Sequence, residues 1–287
     1  MDGNGDRRRA TKHLTQEGTG MANATRRSWQ SHPVGRLLFT VDVEPVEVDR
    51  NVERRRSLAD VTEQLVELLA AQRLSATWAV GEPARAAIGP LVALCEVPQE
   101  LALAGDSSWV GPTAGRAAFA RELSRRLTQA RAAGIDVATL VPRVASVKPH
   151  IDLVVKHGIR AVVATSDATR QRASSLAPRA LHYGVWEFAV SQRLPIQSTW
   201  LAAGGMRLQR RVSRSAAEAA TVHLQLDAPA LAEAGRAAMT TLARLARQIA
   251  KLRDRGLLHV ETLGAAAARL SVVPTATPQR SILRLAA

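Results

Sequence analysis

Short apolar runs that stop at an acid or a glycine alternate with stretches of helical periodicity from Leu37 to about Leu270, and this alternation limits the fold more than any other feature of the chain. In RLLFTVDVEP the run Leu37, Leu38, Phe39, Val41 stops at Asp42 and Glu44, as a buried parallel strand does at a functional edge. Behind Ser57, a candidate N-cap, Leu58, Val61, Leu65, Leu68 and Leu69 follow one helical face. Ser75 to Val80 reads as a second strand closed by Gly81, Ala84 to Cys95 as a helix, and Glu100 to Gly105 as a third strand before the polar loop DSSWVGPT. Arg116 to Ala133 then reads as an amphipathic helix with Phe119, Leu123 and Leu127 on one side, stopped by Gly134. ATLVP, VKPHIDLVVKHG and IRAVVAT continue as strand, helix and strand, the order of right-handed crossover units.

The second half is less regular. VWEFAVSQ and ATVHLQLD are strand-like, Ala230 to Arg255 is a long helix, LLHVETL is a last strand, and a closing helix runs to about Leu270. Seven or eight strands separated mostly by helices suit a barrel or an open doubly wound sheet, and pattern alone does not choose between them. In either case an active edge lies at the carboxyl ends of the strands. The expected organisation is a basic tail over 1–34, one α/β domain over 35–272, and a C-terminal tail over 273–287. The first segment carries Arg7, Arg8, Arg9, Lys12, Arg26 and Arg27 and no apolar stretch like that of a secretory signal, so a cytoplasmic protein is expected. No apolar run approaches the roughly 20 residues of a membrane span. Cys95 is the sole cysteine, which excludes an intramolecular disulfide and reads as a small core residue on a helix face.

The formal net charge of +14 invites an anionic partner. Its arginines are dispersed, however, and aromatics make up 3% of the chain, too few to interleave as stacking platforms for single strands. Specific nucleic-acid binding is therefore not expected, and oligomeric state is not legible.

Asp42 and Glu44 occupy alternate residues at a strand end, so both carboxylates point the same way and can share a site; a solvated strand end with capping or ion-pair duties is the competing reading. Through FTVDVEP, SATWAVGEPAR, QELALAGDSSWVG, LVPRV, KHGIRAVVAT and VHLQLDAP, the chain resembles the polysaccharide deacetylase, or NodB-homology, family from roughly Leu37 to Leu270. The resemblance implies a distorted (β/α)7-type barrel. It implies removal of acyl groups from amino sugars, with a divalent metal held by one carboxylate and two histidines. Asp42 then resembles the base that activates water, and Glu44 the metal carboxylate. The family's H-x-x-x-H pair belongs in the loop after the third strand, where this chain has Ala104, Asp106, Ser108 and Trp109. Only Asp106 among these could ligate a metal, and a site of Glu44, Asp106 and water would favour magnesium or calcium over zinc. No cofactor is the default expectation, with a divalent metal there as the alternative.

Arg143 resembles the arginine that orients the catalytic base, with Pro142 shifted from the family's pattern, and His223 resembles the histidine that protonates the leaving amine. Trp109 and Trp200 are candidates for stacking on a sugar face, whereas Trp78 and Trp186 read as core. Three functions follow. One is a deacetylase-type hydrolase with an altered or absent metal, working through Asp42 and His223. A second is a non-catalytic relative keeping a glycan- or protein-binding surface, the reading that the missing histidines favour. The third is a basic scaffold for nucleic acid or an anionic surface. A carbohydrate or acylated amino sugar is the partner that the resemblance implies.

Overall fold

Every apolar run singled out above folds as part of one sheet. The computed structural model describes residues 34–44, 52–111, 113–165, 177–194 and 200–272, and of 52–57 and 200–207 the backbone alone. The two predicted tails thus lie outside the described residues, apart from Val34. The strands are β1 (Gly35–Asp42), β2 (Ala76–Val80), β3 (Gln99–Gly105), β4 (Thr139–Pro142), β5 (Ala161–Val163), β6 (Arg179–Ala180), β7 (Trp186–Phe188), β8 (Gln192–Leu194), β9 (Thr221–Asp227) and β10 (Leu258–Glu261). The helices are α1 (Val52–Ala71), α2 (Gly89–Ala93), α3 (Ser107–Val110), α4 (Arg116–Ala132), α5 (Ile151–Lys156), α6 (Trp200–Ala217), α7 (Ala228–Asp254) and α8 (Leu263–Val272). None of the described helices is long and apolar enough to cross a membrane.

The strand order is β6-β7-β5-β4-β3-β2-β1-β9-β8, with β10 also beside β1, and all pairs are parallel except β6 with β7. Chain length decides whether this order lies flat or curls. In a flat sheet β7 and β8 would stand seven strand spacings apart, roughly 34 Å at about 4.8 Å each. They are joined by Ala189–Ser191, and the path from Phe188 to Gln192 reaches at most about 14 Å fully extended. The sheet therefore curls, and the segment from Trp186 to Leu194 pairs by its first half with β5 and by its second with β9. This gives the barrel-type architecture. The barrel is distorted at β1, whose early residues pair with β10 (Leu38↔Glu261) and whose late ones pair with β2 (Thr40↔Thr77) along the same flank.

Parity fills the two sides of the sheet. Leu37, Phe39 and Val41 of β1 face outward against α1 and α7, joining Leu65, Leu69, Leu242, Leu245 and Ile249 in the main core. Phe119, Leu123 and Leu127 of α4 cover β3 to β5 in a second. Leu38 faces inward, with Ala79, Ala102, Ala104, Ala161 and Val163, onto Leu263, Ala266 and Ala267 of α8. Alanines on β2, β3 and β5 leave the volume that this helix takes.

The start of α8 is held by buried groups of the lumen. Glu100 accepts from the Gly264 N–H at 2.8 Å, from the Thr77 hydroxyl at 3.0 Å and from the Thr139 hydroxyl, while Thr77 Oγ1 accepts from the Leu263 N–H at 2.9 Å. Burial pushes the Glu100 carboxyl up, and these donors act against it. Gly264 permits the approach, since a Cβ there would lie 2.7 Å from Glu100 Oε1.

Three expectations about elements change. The helix expected from Ala84 to Cys95 shrinks to a 3-10 turn at Pro83–Arg85 and the short α2, because Pro90 supplies no N–H and restricts Gly89 before it. The long helix α7 is broken at Gly235, whose φ of 70° is left-handed. Helix α6 was not foreseen at all.

Candidate functional site

Because the strands run parallel, their carboxyl ends gather Asp42 (β1), Asp227 (β9) and the residues just past β2, β3 and β4, namely Gly81, Asp106 and Arg143, along one rim. The Arg143 N–H continues the ladder by donating to the Gly105 carbonyl at 2.9 Å. Its side chain then turns to Asp42, with Nε donating to Oδ2 at 3.2 Å and Nη2 to Oδ1. This is a fork on a carboxylate, and both partners are nearly enclosed: the Arg143 side chain is 4% exposed and that of Asp42 11%. Burial raises the Asp42 pKa to about 6; the Arg143 charge and hydrogen bond oppose that rise, and Asp227 and Glu44 add to it. Asp42 is thus a carboxyl able to exchange a proton near neutrality.

Asp227 is the register partner of Asp42, and its Oδ1 accepts from the Ala230 N–H at 2.9 Å as the N-cap of α7. His223 is elsewhere. It pairs in register with Leu38, four residues below Asp42, roughly 13 Å down the barrel at about 3.3 Å per residue. There it shares a 2.7 Å hydrogen bond with Thr40 Oγ1, and burial lowers its pKa to about 4, against the opposing influence of the Ala189 carbonyl. The structure brings Asp42 and Arg143 together and does not bring His223 to them.

The two acids expected as metal ligands are engaged by the chain itself. Glu44 Oε1 accepts from the Gly81 N–H at 2.8 Å. Asp106 caps α3, accepting from the Ser108 N–H at 2.8 Å and from the Ser108 hydroxyl at 2.5 Å, while its Oδ2 lies 3.5 Å from Arg126 Nη2. Burial pushes Asp106 up, but Ser108 and the Arg126 charge together hold it below the ordinary carboxylate range. Among the described residues no group of three His, Cys, Asp or Glu side chains is placed to hold an ion. A family-type metal does not fit this donor set, which lacks imidazole and whose carboxylates already have partners.

Trp109 is not free for a sugar. The loop DSSWVGPT folds into α3 and turns the indole into the core, where it is fully buried against Phe119 with ring centroids 5.5 Å apart. Trp200 opens α6, and its side chain lies outside the described residues. Trp78 is core as expected, its Nε1 donating to Gln99 Oε1 at 2.9 Å, and the Trp186 Nε1 donates to Ser271 Oγ at 3.1 Å.

Sequence reasoning missed Arg126. Its side chain is 11% exposed, Nη1 donates to the Gly81 carbonyl at 2.6 Å, and the guanidinium carbon stands 5.2 Å from the centroid of the Trp109 ring. The signal was available: Arg126 follows Phe119 by seven residues and Leu123 by three, a cation inside the buried stripe of its helix.

No protein-family model matches the chain, and no curated protein sequence does. Solved structures do. A protein from Mycobacterium smegmatis described as a polysaccharide deacetylase superposes with a TM-score of 0.59 at 16% identity, over 84% of this chain and 91% of that one. One from Pseudomonas aeruginosa, with the same description, gives 0.55 at 12% identity, over 81% of this chain and 89% of that one. The 4-alpha-glucanotransferase of Thermococcus litoralis gives 0.58 at 10% identity, over 82% of this chain and 40% of that enzyme. The fold is accordingly that of the polysaccharide-deacetylase type of α/β barrel.

Proposed function

We propose that this protein is a carbohydrate-binding relative of the polysaccharide deacetylases, which takes an acylated amino sugar at the rim of its barrel and does not use a metal ion. The observation that carries the reading is the division of labour at the rim. Glu44 and Asp106, the acids nearest to a metal-ligand role, are tied to Gly81 and Ser108, while Asp42 and Arg143 form a buried polar pair at the same edge. A guanidinium and a carboxylate fixed side by side carry donors and acceptors of the kind that bond to sugar hydroxyls and an amide. The structural neighbours, two described as polysaccharide deacetylases and one a 4-alpha-glucanotransferase, are consistent with a sugar as ligand.

A second reading has its own support in the Asp42 pKa of about 6, which suits a general base or acid working without a metal. One experiment separates the two. Chelator-treated protein is titrated calorimetrically with N-acetylated amino-sugar oligomers, and acetate release is followed in parallel. Saturable binding that Asp42→Asn weakens, without acetate, supports the binding role. Acetate release lost in Asp42→Asn moves the assignment to a metal-free hydrolase, and no binding to any oligomer overturns the sugar-ligand reading.

A further inference from the structure

A buried arginine needs compensation, and that of Arg126 comes from two loops and from its own helix. Nη1 donates to the Gly81 carbonyl past β2 at 2.6 Å, Nη2 faces Asp106 Oδ2 past β3 at 3.5 Å, and Nε lies 3.5 Å from Glu122 Oε2 on its own helix. The Gly81 N–H, in the preceding peptide, is held by Glu44 from the end of β1, so the two peptide groups that flank the Gly81 Cα are gripped by a carboxylate and by a guanidinium. Gly81 is the residue this grip demands: a Cβ there would lie 2.6 Å from Glu44 Oε2 and 3.3 Å from Arg126 Nη1. The Trp109 ring closes the remaining face. Arg125, the neighbouring cation, is turned away toward Glu122 at 2.9 Å and Glu82 at 3.1 Å and is much more exposed. The Arg126 charge also helps to hold both Asp106 and Glu122 below their ordinary range.

We propose that Arg126 is a built-in cation: its guanidinium stands where the rim's acids would otherwise draw a divalent ion, fixes the loops carrying Glu44, Gly81 and Asp106, and thereby keeps such ions out. Arg126 is a positioning residue in this scheme, acting through Gly81 and Asp106. The inference rests on the metal-free part of the reading above but not on a sugar ligand, so its test measures ions only.

The test follows the melting temperature of chelator-stripped full-length protein against magnesium, calcium, manganese and zinc. Arg126→Gln empties the charge while leaving a polar side chain, and exposes the oxygens of Asp106, Glu122 and the Gly81 carbonyl, a donor set for hard cations. The wild type and Arg126→Lys are expected to show no saturable shift at millimolar ion. Arg126→Gln is expected to melt lower without ions and to gain a saturable rise on the order of 5 °C with calcium or manganese, as linkage gives for an ion well above its Kd. Adding Asp106→Asn to Arg126→Gln should abolish the gain. Three results would overturn the proposal: an ion-dependent rise in the wild type that Glu44→Gln or Asp106→Asn removes, an Arg126→Gln protein indistinguishable from wild type, and one that is destabilised yet indifferent to every ion. The last would leave Arg126 as a packing residue. Each outcome is independent of whether the sugar titration succeeds.

Discussion

Replacing Asp42 by Asn should change how stability depends on pH, in a direction that the structure fixes. Folded Asp42 keeps its proton up to about pH 6, whereas the same group in the unfolded chain releases it near 3.8. Between those values the folded state binds a proton that the unfolded state has lost, so this group favours folding at low pH and its contribution disappears as pH rises through 6. The window spans roughly two pH units at about 1.4 kcal/mol each, which amounts to about 2–3 kcal/mol between pH 4 and pH 8. Asparagine has nearly the same shape, can still meet Arg143 through its carbonyl and cannot titrate. Every other titrating group is common to the two proteins, so the difference in unfolding free energy, from urea melts of both at pH steps from 4 to 8, isolates Asp42. The difference, Asp42→Asn minus wild type, should become more positive by about 2–3 kcal/mol toward pH 8. A difference that stays flat within about 0.5 kcal/mol would refute the buried, raised carboxyl and with it the acid–base reading of the rim.

The opposite slope is expected at His223, whose pKa falls from 6.5 to about 4 on burial: the neutral ring favours folding above pH 6.5, and about 3 kcal/mol of that is lost as pH falls to 4. Urea melts of His223→Gln should therefore lose that acid limb, and a variant as acid-sensitive as wild type would refute a neutral buried imidazole. Gly264→Ala should cost about 1–3 kcal/mol, because the added methyl displaces a Glu100 carboxylate pinned by Thr77, Thr139 and the Gly264 N–H, and an unchanged melting temperature would show the lumen contact to be slack.

The strands that bury both faces were legible because they read as compact apolar runs, Leu37 to Val41 and Ala161 to Val163 being plain cases, whereas the short β6 and β8, exposed or only partly buried, were not foreseen. The choice of barrel over open sheet was not, since it depends on one segment, Trp186 to Leu194, that leaves β5 for β9 within a few residues. Helix α6 escaped notice because, among its described side chains, the apolar stripe of Leu208, Val212 and Ala216 is set amid arginines that read as a charge cluster. Trp109 looked available because its neighbours Asp106, Ser107 and Ser108 are polar, but the Asp106 cap starts a short helix that carries the indole inward.

The placement of His223 shows where sequence parity stops informing a site. Residues two apart on a strand share a face, so Leu38, Thr40 and Asp42 go together on β1, as do His223, Gln225 and Asp227 on β9, and the pattern places all six toward the lumen. A slip of two or four residues between the strands preserves every face and leaves the hydrophobic pattern equally satisfied, so pattern alone cannot say which member of one set stands level with which of the other. The pairing answers it: Leu38 meets His223 and Asp42 meets Asp227. The histidine is thereby set below the rim, where its ring bonds to Thr40, and among the described residues Asp42 meets Arg143 at the rim instead. That fixed pair of a carboxylate and a guanidinium is what the proposed sugar recognition rests on.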